Sequence, residues 1–124
     1  MMRARLATLA IVLAAAGFAG TAVAQDGKLV VYTSQPSDQM AEVVKAFNAD
    51  YPNVKVELFR SGTTEVMSKL KAEFAAGSPQ ADVVLIADSV AATQLKQEGR
   101  LLAYPEAPVA RLPKALVDPD MTFF

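Results

Sequence analysis

Nine residues whose chemistry suits the capture of a small ligand fall in three short polar segments of the chain. They are Ser34, Gln35, Arg60, Ser61, Gly62, Thr63, Thr64, Asp88 and Ser89. The hydroxyl and amide groups offer adaptable hydrogen bonds, and Arg60 offers a permanently charged, forked donor for a carboxylate, phosphate or phosphonate. Gly62 would let the backbone approach a ligand closely. The residue types favour binding of a small anionic or zwitterionic molecule.

Each of the three polar segments also stands where a helix is expected to begin. The first N–H groups of a helix are unpaired and its dipole is positive there, so an anion is favoured. A single Ser or Thr at such a position is nevertheless more often a local cap than a ligand contact. Arg60 taken alone is also more often a solvated surface charge than a ligand contact. Only the convergence of all three segments favours ligand binding for the set.

Asp88 and Tyr32 each allow two interpretations. Asp88 follows a strongly apolar run, where its carboxylate could bind a metal ion or a substrate amine, and we name it as a candidate metal ligand. It could equally cap the third helix, with Ser89 as a competing cap. Tyr32 could present its hydroxyl at the same edge, although a tyrosine buried in the core is the more common arrangement. The sequence leaves the role of Asp88 open.

The elements that must position these residues form a repeated pattern of strand, polar loop and amphipathic helix. The pattern predicts strands at 28–33, 54–59 and 82–86, and helices at 37–51, 64–76 and 89–98. This alternation is typical of an α/β fold with a parallel sheet, in which ligands bind beyond the carboxyl ends of the strands. We expect the third strand, the most apolar, to be central and the second to lie at an edge.

The helix ends and faces can also be predicted. Ser37 should cap the first helix, and Gly77 and Gly99 should follow the ends of the second and third. The apolar residues at helical spacing in the first helix should face the sheet; they are Met40, Val43, Val44, Phe47 and Tyr51. The charged residues expected on the exposed face of the second helix are Glu65, Lys69, Lys71 and Glu73.

The chain after the third helix is less regular. Leu101 and Leu102 are predicted to form a short strand or the lead-in to one. Four prolines follow between 104 and 119, and this composition indicates irregular surface chain with one helical turn within 112–117. The chain stops on Phe123 and Phe124 soon after a turn signal, from which we expect a fragment of a longer protein.

Residues 1–24 have the organisation of a secretory signal peptide. Arg3 and Arg5 precede an apolar run at 6–18, and Ala-Val-Ala at 22–24 supplies small residues where a signal peptidase cleaves. A membrane anchor is the alternative, but the apolar run is short for a span of about 20 residues. A lipoprotein anchor would need a cysteine, and the chain has none. We therefore expect cleavage after Ala24 and a periplasmic protein.

Charge and composition exclude several classes of function. The chain has 12 basic and 13 acidic residues, and loss of Arg3 and Arg5 would leave a net charge of −3, which argues against nucleic acid as a partner. The absence of histidine removes the commonest general base and metal ligand. No nucleophile elbow or P-loop is present. We expect no enzymatic activity, no certain cofactor and a monomer.

Several stretches resemble the start of a mature bacterial extracellular solute-binding protein. They are Leu29-Val30-Val31-Tyr32-Thr33-Ser34, Tyr51-Pro52-Asn53-Val54-Lys55-Val56, Ser61-Gly62-Thr63-Thr64, Gly77-Ser78-Pro79-Gln80-Ala81-Asp82-Val83 and Gly99-Arg100-Leu101-Leu102. The group it looks most similar to comprises ABC importer proteins that bind iron(III) or 2-aminoethylphosphonate. The resemblance covers all of the expected mature chain, and it is specific for the superfamily rather than for a ligand.

The resemblance implies a two-lobed periplasmic binding protein that closes on a ligand and docks on an ABC permease in the inner membrane. Residues 25–124 would be the N-terminal part of the first lobe, with the second lobe absent. Fe³⁺ would then be a possible transported ligand. The sequence departs from the iron-binding pattern, because Gln35-Pro36-Ser37 stands where many members have a histidine and Ala87-Asp88 where they have a glutamate. A phosphonate or another small anion therefore suits the loops at least as well.

Three other interpretations stay open. The same fold serves as the sensory or scaffolding ectodomain of a signalling system, which a following membrane span would reveal. An exported α/β enzyme would carry its catalytic residues in sequence beyond Phe124. A truncated reading frame would have no independent function.

Overall fold

A computed structural model describes residues 27–124. The predicted signal peptide and its cleavage after Ala24 lie outside the described residues. The elements in chain order are β1 (Gly27–Thr33), α1 (Ser37–Asp50), β2 (Val54–Arg60), α2 (Thr63–Ala75), β3 (Val83–Leu85) and α3 (Ser89–Gln97), followed by 3₁₀ turns at Val109–Arg111 and Lys114–Leu116. All three predicted strands and all three predicted helices are present, with ends that differ by at most one residue.

The three described strands form one parallel sheet in the order β2-β1-β3. The predicted edge position of the second strand is confirmed. The expectation that the third strand is central is wrong, because β1 pairs with both of the others. Val31, Tyr32 and Thr33 of β1 are accordingly buried, whereas β3 has three residues and leaves Val83 43% and Leu85 39% exposed. Apolar composition thus does not determine the position of a strand in the sheet.

The hydrophobic core lies between one face of the sheet and helices α2 and α3. Tyr32 is in register with Phe59 of β2 and Val84 of β3, so all three side chains point to this face. The buried members of the core are Tyr32, Val66, Met67, Leu70, Ala91 and Leu95. Because α2 and α3 are fastened here by their apolar stripes, their N-terminal ends are fixed relative to the strand ends.

Helix α1 covers the opposite face incompletely. Met40 is buried, but Val43 is 53% and Tyr51 45% exposed, so the prediction that both face the sheet is wrong. Tyr51 stacks instead on Phe47, with ring centroids 4.9 Å apart. Helix α1 packs beside the edge strand β2. The sheet surface there is too narrow to cover the whole apolar face of α1. Leu58 of β2 likewise stays 42% exposed.

The helix ends follow the predictions in part. Gly77 and Gly99 have φ angles of +69° and +66°, the left-handed conformation expected after a helix end. Ser37 is not a cap: Pro36 occupies the N-cap position of α1, and no side chain accepts a hydrogen bond there.

The predicted strand at Leu101 and Leu102 is absent, and this stretch has no regular structure. Among residues 27–124, no helix has both the length and the apolar character needed to cross a bilayer.

Candidate functional site

The three polar loops meet at the carboxyl edge of the sheet, as the repeated pattern predicts. The N–H of Ser61 donates to the carbonyl of Thr33 at 3.1 Å, which joins the start of the loop after β2 to the last residue of β1. The N–H of Ser34 donates to the carbonyl of Leu85 at 3.1 Å, which joins the start of the loop after β1 to the last residue of β3. The parallel pairing therefore continues one residue beyond the strands and holds the first loop between the other two.

Side chains reinforce the first loop from within. Thr33 is fully buried, and its Oγ1 accepts a 3.0 Å hydrogen bond from the N–H of Gln35. The hydroxyl oxygen of Ser34 accepts a longer one, 3.4 Å, from the N–H of Ala87 in the third loop. The Ser34 hydroxyl therefore helps to hold the first and third loops together.

Arg60 lies against the first loop. Its Nε donates a 3.1 Å hydrogen bond to the carbonyl of Gln35, and its side chain is exposed. In the part of the chain that the structure describes, Arg60 forms no ion pair. The bond through Nε orients the guanidinium beside the start of α1, and among residues 27–124 its terminal N–H groups make no hydrogen bond.

The second and third loops share a shallow depression of about 330 Å³. Thr63, Thr64 and Asp88 line it together with Lys71. Ser89 lines a neighbouring open depression of about 390 Å³ along α3. Ser34, Gln35, Arg60 and Ser61 are thus linked at the first loop, and Thr63, Thr64 and Asp88 line the gap between α2 and α3, whereas Ser89 does not.

Asp88 caps α3. Its Oδ1 accepts hydrogen bonds from the N–H groups of Val90 at 2.9 Å and Ala91 at 3.1 Å. This is the capping geometry that the sequence allowed, and Ser89 is instead the first residue of the helix. Within residues 27–124, no group of three or more acidic side chains is placed to hold a metal ion. A metal at Asp88 would therefore need further ligands from elsewhere.

The carboxylate of Glu65, a residue expected on the exposed face of the second helix, lies at the start of α2. A Cβ added at Gly62 would collide with the carboxylate of Glu65, so this side chain folds back over the helix N-terminus. Gly62 itself has an ordinary φ of −65° and is not required by the backbone conformation. Its position at the N-cap with Glu65 three residues later is the spacing of a capping box, the signal that could have revealed this role.

Tyr32 is a core residue, and its hydroxyl does not reach the carboxyl edge. It donates a 2.6 Å hydrogen bond to Oε1 of Glu73, which also forms a 2.8 Å ion pair with Lys69. Glu73 was expected on an exposed face, but its side chain is 12% exposed, because Tyr32 draws it toward the sheet. Burial and the Glu73 carboxylate raise the pKa of Tyr32. Burial also tends to raise the pKa of Glu73, but hydrogen bonds from Lys69 and Tyr32 outweigh it and lower that pKa.

A model of a known protein family matches most of the chain. The model of the family described as bacterial extracellular solute-binding protein matches residues 33–121, a stretch that includes all three polar loops. No curated protein matches the chain. The match covers well over half of the sequence and agrees with a parallel α/β sheet whose loops converge at one edge. The chain belongs to the bacterial extracellular solute-binding protein family.

Proposed function

We propose that this protein is the periplasmic substrate-binding component of an ABC importer. It captures a small ligand between two lobes and delivers it to the permease in the inner membrane. The observation that carries this proposal is that the Ser61–Thr33 and Ser34–Leu85 hydrogen bonds hold the starts of the loops together at one edge of the sheet. Membership of the solute-binding family supports it, since such a protein needs one wall of a binding cleft at this edge.

The ligand class we propose is a small anion, a phosphonate or a chemically similar group, held beside the first loop. The starts of α2 and α3 already carry the carboxylates of Glu65 and Asp88, which weaken their attraction for another anion. The start of α1 has no side-chain cap, and Arg60 lies beside it. Asp38 in the first turn of α1 opposes this preference, so Arg60 supplies the decisive charge.

Ferric iron is the second candidate, and Asp88 is the observation that favours it. Both capping hydrogen bonds go to Oδ1, and within residues 27–124 no hydrogen bond reaches Oδ2. A carboxylate oxygen with no partner could coordinate a hard cation. The remaining ligands would come from the opposite lobe of the proposed cleft.

A thermal-shift series on the purified protein tests both ligand classes, with 2-aminoethylphosphonate, inorganic phosphate and ferric citrate as probes. A ligand present at a hundred times its Kd should stabilise the protein by about 2.7 kcal/mol. In the proposed arrangement, the phosphonate raises Tm for the parent protein and for the control Arg111→Gln, an exposed arginine outside the loops. Arg60→Gln should abolish that shift.

The outcomes separate the two candidates. A shift with ferric citrate that survives Arg60→Gln and is lost in Asp88→Asn would replace the anion by iron. If neither the anions nor iron stabilise the protein, the proposed ligand classes are both wrong. If the phosphonate shift survives Arg60→Gln, the ligand class stands and the assignment to the first loop fails.

A further inference from the structure

Residues 102–124, here called the C-terminal segment, form their own hydrogen-bonded unit. The N–H of Tyr104 donates to the carbonyl of Met121 at 2.8 Å, and the N–H of Asp118 donates to that of Phe123 at 3.1 Å. These bonds close the segment on itself across its two 3₁₀ turns. Among the described residues, every backbone hydrogen bond made by the segment has its partner within the segment. Among residues 27–124, no backbone hydrogen bond therefore connects the segment to the sheet or to the helices.

The apolar core gives the C-terminal segment little support as well. Leu101, the residue before it, is the last one packed against the core of α2 and α3. Within the segment, Leu102 is 87%, Leu116 61% and Tyr104 56% exposed. Ala107 is buried but lies outside the core cluster. Val109, Val117, Met121 and Phe123 are half-buried, but no residue of the segment packs against the core cluster of α2 and α3. The segment therefore shares few apolar contacts with the β–α core.

One cation joins the C-terminal segment to the rest of the protein. Nζ of Lys96, in the last turn of α3, contacts the carboxylate of Asp118 and lies 2.7 Å from Oδ2 of Asp120. The Asp118 side chain is only 5% exposed. Its other oxygen accepts hydrogen bonds from the N–H of Thr122 at 3.2 Å and from the hydroxyl of Thr122 at 2.7 Å. Asp118 thus connects the internal bonds of the segment to Lys96.

We propose that Lys96 acts as a latch, a contact that holds the C-terminal segment on α3 through ion pairs with Asp118 and Asp120. Loss of these ion pairs releases the segment as one unit, and the β–α core stays folded. This follows because a partly buried ion pair that loses one partner leaves a charge uncompensated. Units with separate hydrogen bonds and few shared apolar contacts open independently of their neighbours. The proposal does not depend on which ligand the protein binds.

Hydrogen exchange on the full chain tests the latch with Lys96→Met, which removes the charge and keeps an unbranched side chain. The amides of Tyr104, Asp118, Met121 and Thr122 should exchange faster by a common factor of about ten or more, the loss expected for a buried pair. The N–H of Val30 in β1 donates to the side-chain carboxylate of Asp82, and the N–H of Asp82, just before β3, donates to the carbonyl of Val30. These two amides should exchange at the parent rate.

Two further variants calibrate the result. Lys45→Met changes an exposed lysine of α1 that forms no ion pair within residues 27–124, and it should leave all six amides unchanged. Asp120→Asn should give a smaller acceleration than Lys96→Met, because the Asp120 side chain is 72% exposed and its pair with Lys96 is screened by water.

Two results would overturn the latch. Unchanged exchange at the four segment amides would mean that other contacts hold the segment. Equal acceleration of the segment and of Val30 and Asp82 would mean that the two parts open together. If Lys96→Met does not fold, the parent protein in low urea gives the answer: the four segment amides should share one opening free energy below that of Val30 and Asp82. A single value for all six would refute the proposal.

Discussion

The hydroxyl of Tyr32 in the central strand donates a 2.6 Å hydrogen bond to the carboxylate of Glu73 in the last turns of α2. Oε2 of the same carboxylate accepts a 3.1 Å hydrogen bond from the N–H of Gln80, in the loop that leads to β3. Lys69 neutralises Glu73 and lies 5.3 Å from the ring centroid of Tyr32. One carboxylate therefore ties together the central strand, α2 and the entry to β3.

Removal of the Tyr32 hydroxyl should destabilise the protein measurably. Tyr32→Phe keeps the ring in the core but leaves Glu73 without one of its hydrogen-bond donors, so we expect a loss of about 1–2 kcal/mol in the free energy of unfolding. Urea denaturation followed by circular dichroism measures it. Tyr51→Phe is the matched control, because Tyr51 is 45% exposed and its hydroxyl makes no hydrogen bond within residues 27–124. Equal losses for both variants would contradict this role of Glu73.

Two substitutions at Asp88 should separate its capping role from its charge. Asp88→Ala removes the acceptor for the N–H groups of Val90 and Ala91 and should cost about 1 kcal/mol of stability. Asp88→Asn keeps a side-chain oxygen at the N-cap and should cost less than half as much. Urea unfolding of both variants compares these costs. If the asparagine variant is as unstable as the alanine variant, the negative charge rather than the cap stabilises α3.

Acid should weaken the protein through Asp118. The hydrogen bond from Lys96 lowers the pKa of Asp118 from 3.8 to about 2. Because the folded-state pKa lies below the unfolded value, Asp118 stabilises the fold above pH 4, and this contribution is lost as the pH falls from about 4 to about 2.

Urea unfolding at pH steps between 2 and 5 measures this dependence. The difference in stability between the parent protein and Asp118→Asn should be largest at pH 5 and shrink toward pH 2, because the asparagine does not titrate there. Glu73, whose pKa is also lowered, is present in both proteins and so cancels in the difference. A difference that stays constant over this range would show that Lys96 does not perturb Asp118.

The elements of the fold could be predicted because their signals are local. Alternating apolar runs and helical stripes identified all three strands and helices, and Gly77 and Gly99 identified two helix ends. The order of the strands could not be predicted in the same way. The run at 83–86 is the most apolar, yet only three of its residues pair with β1. Pairing depends on crossovers between distant segments, and apolar composition does not report them.

In the candidate site too, the residue types could be predicted from the sequence, whereas some of their contacts could not. Residue types and helix starts pointed to the nine loop residues, and the structure brings the three loops to one edge. Their ligand-binding role stays a prediction. Two contacts were not predicted. The carboxylate of Glu65 folds back toward Gly62, and Arg60 donates a hydrogen bond to the carbonyl of Gln35. The Arg60 contact joins residues 25 apart in the chain and follows only from the pairing of β1 and β2, whereas the spacing of Gly62 and Glu65 could have indicated the other.

The sequence by itself determined the α/β class, the three loops and the resemblance to solute-binding proteins, because each is written in short stretches of residue pattern. Only the tertiary structure decided that β1 is central, that Glu73 turns inward to Tyr32, and that Lys96 meets Asp118 across 22 residues. These relationships join residues far apart in the chain. They arise from packing of the helices on the sheet, which balances apolar burial against the need to pair every charge that leaves water.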